Sequence, residues 1–346
     1  MTRTVRVVAV QLAVRLGELD ANRRHIEDVV RQAVREHDPD VVLLPEVSTT
    51  PNVCHQAMRA CAEPVDGPSL ALYRRLAREH GCTIGAGALT IRGRDTRNTA
   101  YLVEPGGRVH LHDKDQPSMW ENQFYAPGND PGIAETALGP VGMANGFEWI
   151  RRRTAARLRG NVGLLLGGMC FPSFPRWTLT RRWFWERDHA TMLQLARETP
   201  GRMARLLGVP AAHASHVGDI TMRTPMLGGI AWPTIMVGET QITDADGTIL
   251  DRLTYEDGEG WVAADVAVED EPRPRDPLPG TFWTTSLPAS VHAVWHVTNL
   301  HGRASYALRK ARGTHPWQED AGLGADLQPP LPLAVEALER ERVGAA

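Results

Sequence analysis

Cysteine is scarce in this chain: Cys54, Cys61, Cys82 and Cys170 are the only four in 346 residues. That is too few for a disulfide framework and fits a reducing, intracellular setting. An excess of charge of one sign is also lacking. Thirty-eight basic residues face 41 acidic ones, a net charge of -3, so there is no electrostatic case for nucleic acid or for an anionic membrane surface. No apolar run approaches the roughly 20 residues that span a bilayer. The longest, Val162 to Phe171, is interrupted by three glycines. The N-terminal valine-rich run contains Arg6 and leads straight into a helix, so it reads as a first strand and not as a signal peptide. A cytoplasmic protein is expected. The chain has no phosphate-binding GxxxxGK(S/T) loop and no GxSxG elbow. Gly85 to Thr90 imitates a dinucleotide loop but lacks its third glycine and a following helix.

What is present has the pattern of strands alternating with helices. Val5 to Leu12 and Val41 to Leu44 read as buried strands. Between them, Ile26, Val29, Val30, Ala33 and Val34 recur at helical spacing and form one buried stripe, with Asp20 as cap and Asp38-Pro39 as stop. Ser69 to His80 reads as a second helix capped by Ser69. Strands are expected at Cys82 to Leu89, Thr99 to Val103 and Arg108 to His112, with a turn at Pro105 to Gly107. Gly146 to Arg159 reads as a strongly basic helix, and Val162 to Met169 as the next buried strand. Trp183 to Leu207 reads as a helix. Val209 to Ser215, Val237 to Thr243, Thr248 to Leu253 and Trp261 to Val266 complete the strands. The order argues for an α/β protein with helices outside and sheet inside. Glu269 to Pro279 holds four prolines and six charged residues and reads as a linker. The division expected is a domain over residues 1–268 and an extension over 269–346 that packs on the core or on a partner subunit.

Three stretches carry polar groups at strand ends. Cys170 closes the glycine-rich run from Val162, where the backbone can turn and present a thiol to a cleft. A thiol needs a base or a positive neighbour to act as a nucleophile. Glu46 follows the apolar Leu43-Leu44-Pro45. A carboxylate buried at that depth is costly unless paired, and its pKa moves toward the range useful for proton transfer. Lys114 follows a strand in which His110, His112 and Lys114 share one face, and an ammonium in a cleft can stabilise developing negative charge. Taken singly, each has a plainer reading: a core thiol, a capping carboxylate, a solvated lysine. Two histidines with a lysine form a poor metal set. His292 and His296 lack the glutamate of a zinc-protease helix. His213 and His216 are read as loop residues without partners. No metal is expected from these residues.

The order of these pieces resembles the nitrilase superfamily of carbon–nitrogen hydrolases. The resemblance runs from Val7 to Leu12 with Asn22, through Leu43 to Glu46, to Lys114 to Glu121 followed by Tyr125-Ala126-Pro127-Gly128. It continues through Gly163 to Cys170, Ala214 to Gly218 and Val237 to Gly247. It implies a four-layer α-β-β-α sandwich that pairs with a second subunit as a homodimer or larger assembly, and it implies no metal and no organic cofactor. It also implies roles: Glu46 as general base, Lys114 as oxyanion stabiliser, Cys170 as nucleophile and Glu121 as the group positioning substrate or lysine. Phe171 and Trp120, beside the nucleophile and the second glutamate, are the expected substrate contacts. The implied substrate is a small-molecule amide or nitrile, with amide hydrolysis preferred. Nitrile cleavage, acyl transfer to another amine, and a non-catalytic relative are the alternatives. Two departures stand out. Pro172 occupies the place where the family carries an acid after the aromatic residue, and the basic stretch 146–159 is inserted before the nucleophile strand. Arg151 to Arg153 are read as a solvated or subunit-contacting face, or else as an anion contact. Trp177, Trp183 and Trp185 are read as core or pocket lining.

Overall fold

The computed structural model describes residues 2–176, 186–226, 229–287, 289–313 and 327–328. The chain begins with β1 (Thr2–Leu12), α1 (Leu19–His37), β2 (Val41–Leu43) and β3 (Glu63–Pro64). Helix α2 (Pro68–His80) leads to β4 (Thr83–Arg92), β5 (Asp95–Val103) and β6 (Val109–Asp113). Then come β7 (Ile133–Thr136), β8 (Gly139–Asn145), α3 (Arg152–Leu158), β9 (Leu164–Met169) and α4 (Glu186–Leu207). The later elements are β10 (Ala211–Arg223), β11 (Ala231–Val237), β12 (Gln241–Thr243), β13 (Ile249–Arg252), β14 (Gly260–Glu269), α5 (Ala289–Ala311) and the two-residue β15 (Leu327–Gln328).

The strands form one mixed sheet with the order β6-β5-β4-β2-β1-β10-β9-β8-β7 along its main path. β1 joins the two halves. β2 runs parallel to it at Val7 to Ala9, β10 joins in parallel at Gln11 and Leu12, and β14 pairs antiparallel along almost its whole length. Side chains alternate across a strand, and this sorts the core. Val8, Val10 and Leu12 of β1 pack with α1 and α2, whereas Val5, Val7 and Ala9 enter a cluster built from strands and their connecting loops. On the other side, Leu164 and Leu166 of β9 join that same cluster while Leu165 packs with α3 and α4. The fold is α/β, with helices on the outer faces and apolar sheet surface between them. Among the described residues no helix is long and apolar enough to cross a membrane.

Several local expectations need correction. Helix α1 starts at Leu19, and Asp20 lies inside its first turn, paired with Arg23. In α2, Pro68 takes the first helical position after Gly67. Ser69 is therefore not the cap: its N–H donates to the Glu63 carboxylate at 2.9 Å. The stretch 237–243 is two strands, because Gly238 and Glu239 both have positive φ and break it. His213 and His216 lie within strand β10, not in a loop. The basic stretch is a 3₁₀ turn (Gly146–Ile150), an extended Arg151 and then the short α3. The proline-rich stretch does not behave as a linker. Arg205 holds the Asp276 carboxylate at 2.8 Å, Arg159 donates to the Asp276 carbonyl and Arg152 to the Pro279 carbonyl, each at 2.9 Å. Arg152 of α3, Arg159 at its end and Arg205 of α4 thus tie this segment along the core. Trp177, Trp183 and Trp185 lie outside the described residues.

Candidate active site

The carboxyl ends of β2, β6 and β9 converge, and each delivers one of the expected polar groups. This is where open α/β sheets place ligands. Gly168 makes the approach possible: a Cβ there would lie 2.8 Å from the backbone nitrogen of Glu46. The glutamate loop is fixed on its other side as well. Ser48 donates its hydroxyl to the Pro45 carbonyl at 2.6 Å, and a ring nitrogen of His216 donates to the Glu46 carbonyl at 3.0 Å.

At the centre, the Lys114 ammonium donates to Glu46 Oε1 and to Glu121 Oε1, each at 2.8 Å. The other oxygen of Glu46 accepts the backbone N–H of Cys170 at 3.0 Å. The sulfur of Cys170 accepts the backbone N–H of Asn52 at 2.9 Å. All four side chains are buried, with Lys114 1%, Glu46 2%, Glu121 6% and Cys170 8% exposed. Glu121 closes a capping box with Ser118, which fixes the carboxylate on the lysine loop.

Burial and charge set the protonation of this cluster. Burial, helped by the Glu121 charge, raises the Glu46 carboxyl above its ordinary value, although Lys114 and the Cys170 N–H pull it down. Burial would discharge Lys114, but the two carboxylates outweigh it and raise the ammonium. Burial and the Glu46 charge push the Cys170 thiol well above the usual thiol range. The resting thiol is therefore protonated. A proton passed from sulfur to Glu46 would leave the total charge of the cluster unchanged, so a dry site can tolerate that step.

Three further residues complete the arrangement, none of them marked by reactive chemistry in the sequence. Asn98 donates to Glu46 Oε1 at 2.7 Å and to the Tyr125 hydroxyl at 3.2 Å. Asn52 donates its amide to Glu121 Oε1 at 2.9 Å and to Tyr125 at 3.1 Å. Gly146 (φ 55) passes so close that a Cβ would lie 2.5 Å from Lys114 Nζ and 2.8 Å from Glu46 Oε2. Tyr125, from the Tyr125-Ala126-Pro127-Gly128 stretch, accepts from both asparagines.

Behind the lysine loop lies a second, charge-balanced cluster. Arg151 is not on a solvated face: it is 1% exposed and pairs with Asp115 at 2.7 Å. Arg157 bridges Asp115 and Glu148, at 3.1 Å to each. His112 sits between Asp130 at 2.5 Å and Glu148 at 2.8 Å. Burial alone would lower His112, yet these carboxylates raise it to about 10. His110 pairs with Glu104 at 2.7 Å. Arg153 is one-third exposed and reaches Asp115 only at 4.0 Å. His292 and His296 are exposed on α5. Among the described residues no group of three or more His, Cys, Asp or Glu could hold a metal ion.

Glu46, Glu121 and Cys170 share the wall of one cavity of about 700 Å³, counting its open mouth. Phe171 and Trp120 line it too, together with Phe147, Phe174, Trp232 and residues of α5, Val291 and Val294. Among the described lining residues there is no lysine, arginine or histidine.

Comparison with known proteins bears on the family and the fold. Residues 6–271 match the family model for carbon–nitrogen hydrolases. Two proteins named as hydrolases, from Mycobacterium tuberculosis strains CDC 1551 and H37Rv, are each 28% identical over 184 residues. That alignment takes in 49% of this chain and 65% of each relative, less than two thirds of their length. Among solved structures, XC1258 from Xanthomonas campestris, a CN-hydrolase superfamily protein, has TM-score 0.59 at 16% identity. It covers 93% of this chain and 100% of its own. An amidase from Nesterenkonia sp. AN1, whose mutant carries the acetamide moiety of fluoroacetamide on the active-site cysteine, has TM-score 0.53 at 19% identity. It covers 75% of this chain and 89% of its own. These likenesses concern the fold. With more than half its length in the family model, the chain belongs to the carbon–nitrogen hydrolase family.

Proposed function

We propose that this protein hydrolyses the C–N bond of a small amide with an apolar acyl group, through a thioester on Cys170. The observation that carries this reading is the shared cavity of Glu46, Glu121 and Cys170, with the Lys114 ammonium 2.8 Å from each carboxylate. Glu46 takes the thiol proton and the sulfur adds to the amide carbon. The oxygen gains the negative charge, which Lys114 and the Phe171 N–H stabilise; one such donor is typically worth about 3–4 kcal/mol. Glu46 returns its proton to the departing nitrogen as the C–N bond breaks. Water, losing a proton to Glu46, then attacks the thioester and releases the acid and the thiol. Glu121 and Asn52 hold the ammonium and the sulfur in place, and Asn98 orients Glu46.

The lining supports the substrate class. Aromatic and aliphatic side chains line the cavity with the thiol, and apart from Lys114, held by its two carboxylates, no described cation stands there to pair an anionic acyl group. The acetamide adduct of the Nesterenkonia amidase and the proline at position 172 favour amide over nitrile. The segment beyond residue 268 belongs to this site in the proposal, because α5 supplies Val291 and Val294 to the wall. The same helix leaves Val297, Leu300 and Leu308 exposed, which supports a homo-oligomer paired through α5. Sedimentation would test this: a monomer at micromolar concentration contradicts it.

The test of activity is ammonia release from matched amides and nitriles with aromatic, aliphatic and carboxylate-bearing acyl groups. Apolar amides should be cleaved fastest. Faster release from the matched nitriles, or preference for the carboxylate-bearing amides, would overturn the reading. So would hydroxylamine-dependent product with no hydrolysis, which would mean acyl transfer.

A further inference from the structure

A second cavity, of about 1050 Å³ with its open mouth, lies between the 3₁₀ turn Gln56–Cys61, the loop at Gln123 and Phe124, the β10–β11 hairpin and α5. It shares no described lining residue with the cavity over Cys170, and its chemistry is the reverse. Arg59, Arg223, His55 and His301 line it, and no described aspartate or glutamate does. Arg59 makes no hydrogen bond or ion pair to any described residue, and its Nε is buried without a partner. The Arg223 guanidinium donates to the backbone carbonyl of Gly229 at 2.7 Å and pairs with no carboxylate among the described residues.

Two further observations point to an anion as the ligand. Four lining residues each leave a buried polar atom unpartnered among the described residues: Arg59 Nε, Gln123 Nε2, Thr224 Oγ1 and His301 Nδ1. Thr224 is itself only 5% exposed. Proteins rarely leave such atoms unsatisfied, least of all several around one hollow. Positive charge also acts on the neighbouring basic groups here. His55 is lowered by burial and by the Arg223 charge, and the neighbouring Arg309 is lowered by burial and by the Arg59 charge. Like charges gathered this way cost free energy until an opposite charge enters.

We propose that this cavity binds a small, multiply charged oxyanion, a phosphomonoester or a di- or tricarboxylate, separately from the site at Cys170. A guanidinium fork suits both phosphate and carboxylate oxygens. Donors arriving from four segments of chain fit an anion with several oxygens better than a monoanion. The proposal does not depend on which bond the Cys170 site cleaves.

The experiment is isothermal titration of the full chain with inorganic phosphate and, separately, succinate, at ionic strength held constant with sodium chloride. Saturable uptake of one anion per chain is expected for at least one probe, and the preferred probe separates phosphoryl from carboxylate recognition. Arg59→Gln should weaken binding at least tenfold, whereas Arg94→Gln, an exposed cation elsewhere, should leave it unchanged. If Arg59→Gln disturbs the fold by circular dichroism, Arg223→Gln on the exposed hairpin gives the same readout. No saturable heat from either probe would overturn the proposal. So would equal loss in Arg59→Gln and Arg94→Gln, which would indicate diffuse charge and not a site.

Discussion

Replacing Gly146 by alanine tests whether the position of the Lys114 ammonium controls the chemistry. The new Cβ would lie 2.5 Å from Nζ and 2.8 Å from Glu46 Oε2. Ordinary non-bonded contacts are about 3.5 Å or more, so the ammonium must retreat by about 1 Å. From 2.8 Å that shift carries it out of hydrogen-bond range of Glu46. A hydrogen bond to a charged group contributes about 1.5–3 kcal/mol. The corresponding fall in kcat/KM is roughly 10- to 150-fold at about 1.4 kcal/mol per decade. The residue also has φ 55, where an L side chain costs about 1–2 kcal/mol, so a modest drop in Tm should accompany the kinetic loss. Gly106→Ala is the control, since no atom lies within 4 Å of a Cβ there. The assay is amide turnover with thermal melting of both variants. A Gly146→Ala enzyme within twofold of the parent would refute the reasoning.

Other perturbations have equally definite outcomes. Glu46→Gln should leave Cys170 slow toward an alkylating agent. In the parent, kcat/KM should decline with acidity at a pH above the ordinary carboxylate value, because Glu46 is raised and works only when ionised; an acid limb below that value contradicts this. Stability has its own pH dependence. His213 and His216 are lowered by burial to about 4. As pH falls from their unfolded value near 6.5, the unfolded chain binds more protons and stability declines. His112, raised to about 10, contributes stability that is complete below its unfolded pKa and is lost as pH climbs through 10. Urea midpoints should therefore peak near neutrality, and a midpoint still rising between pH 7 and 10 would count against the His112 assignment. Asp115→Asn leaves Arg151 buried without its carboxylate and should cost about 3–5 kcal/mol in urea unfolding; a cost below about 1 kcal/mol would mean that the buried cluster is not structurally important.

Glu46 and Cys170 stood out because each follows a short apolar run, a pattern that local sequence displays; Lys114, after the polar strand Val109–Asp113, stood out only through the resemblance in order. Asn52, Asn98 and Gly146 were not. An amide has no reactivity that marks it out, and the requirement for glycine at 146 comes from a lysine tip that arrives from residue 114. Arg151 looked like part of a solvated or subunit-contacting face because basic runs usually are, and Arg157 was only one more basic residue of the same stretch. Their burial depends on Asp115 and Glu148, which a linear reading does not bring opposite them. Helix starts shifted for local reasons: Pro68 set the first turn of α2 and Glu63 satisfied the N–H of Ser69. The break at Gly238 and Glu239 is a backbone conformation that alternation of side chains does not reveal.

The covalent step is tested most directly by intact-mass measurement on enzyme quenched in acid during turnover of an apolar amide. The mass should rise by that of the acyl group, peptide mapping should place the increment on Cys170, and Cys170→Ala should show neither adduct nor turnover while keeping its fold. Turnover that persists in Cys170→Ala would contradict the thioester account.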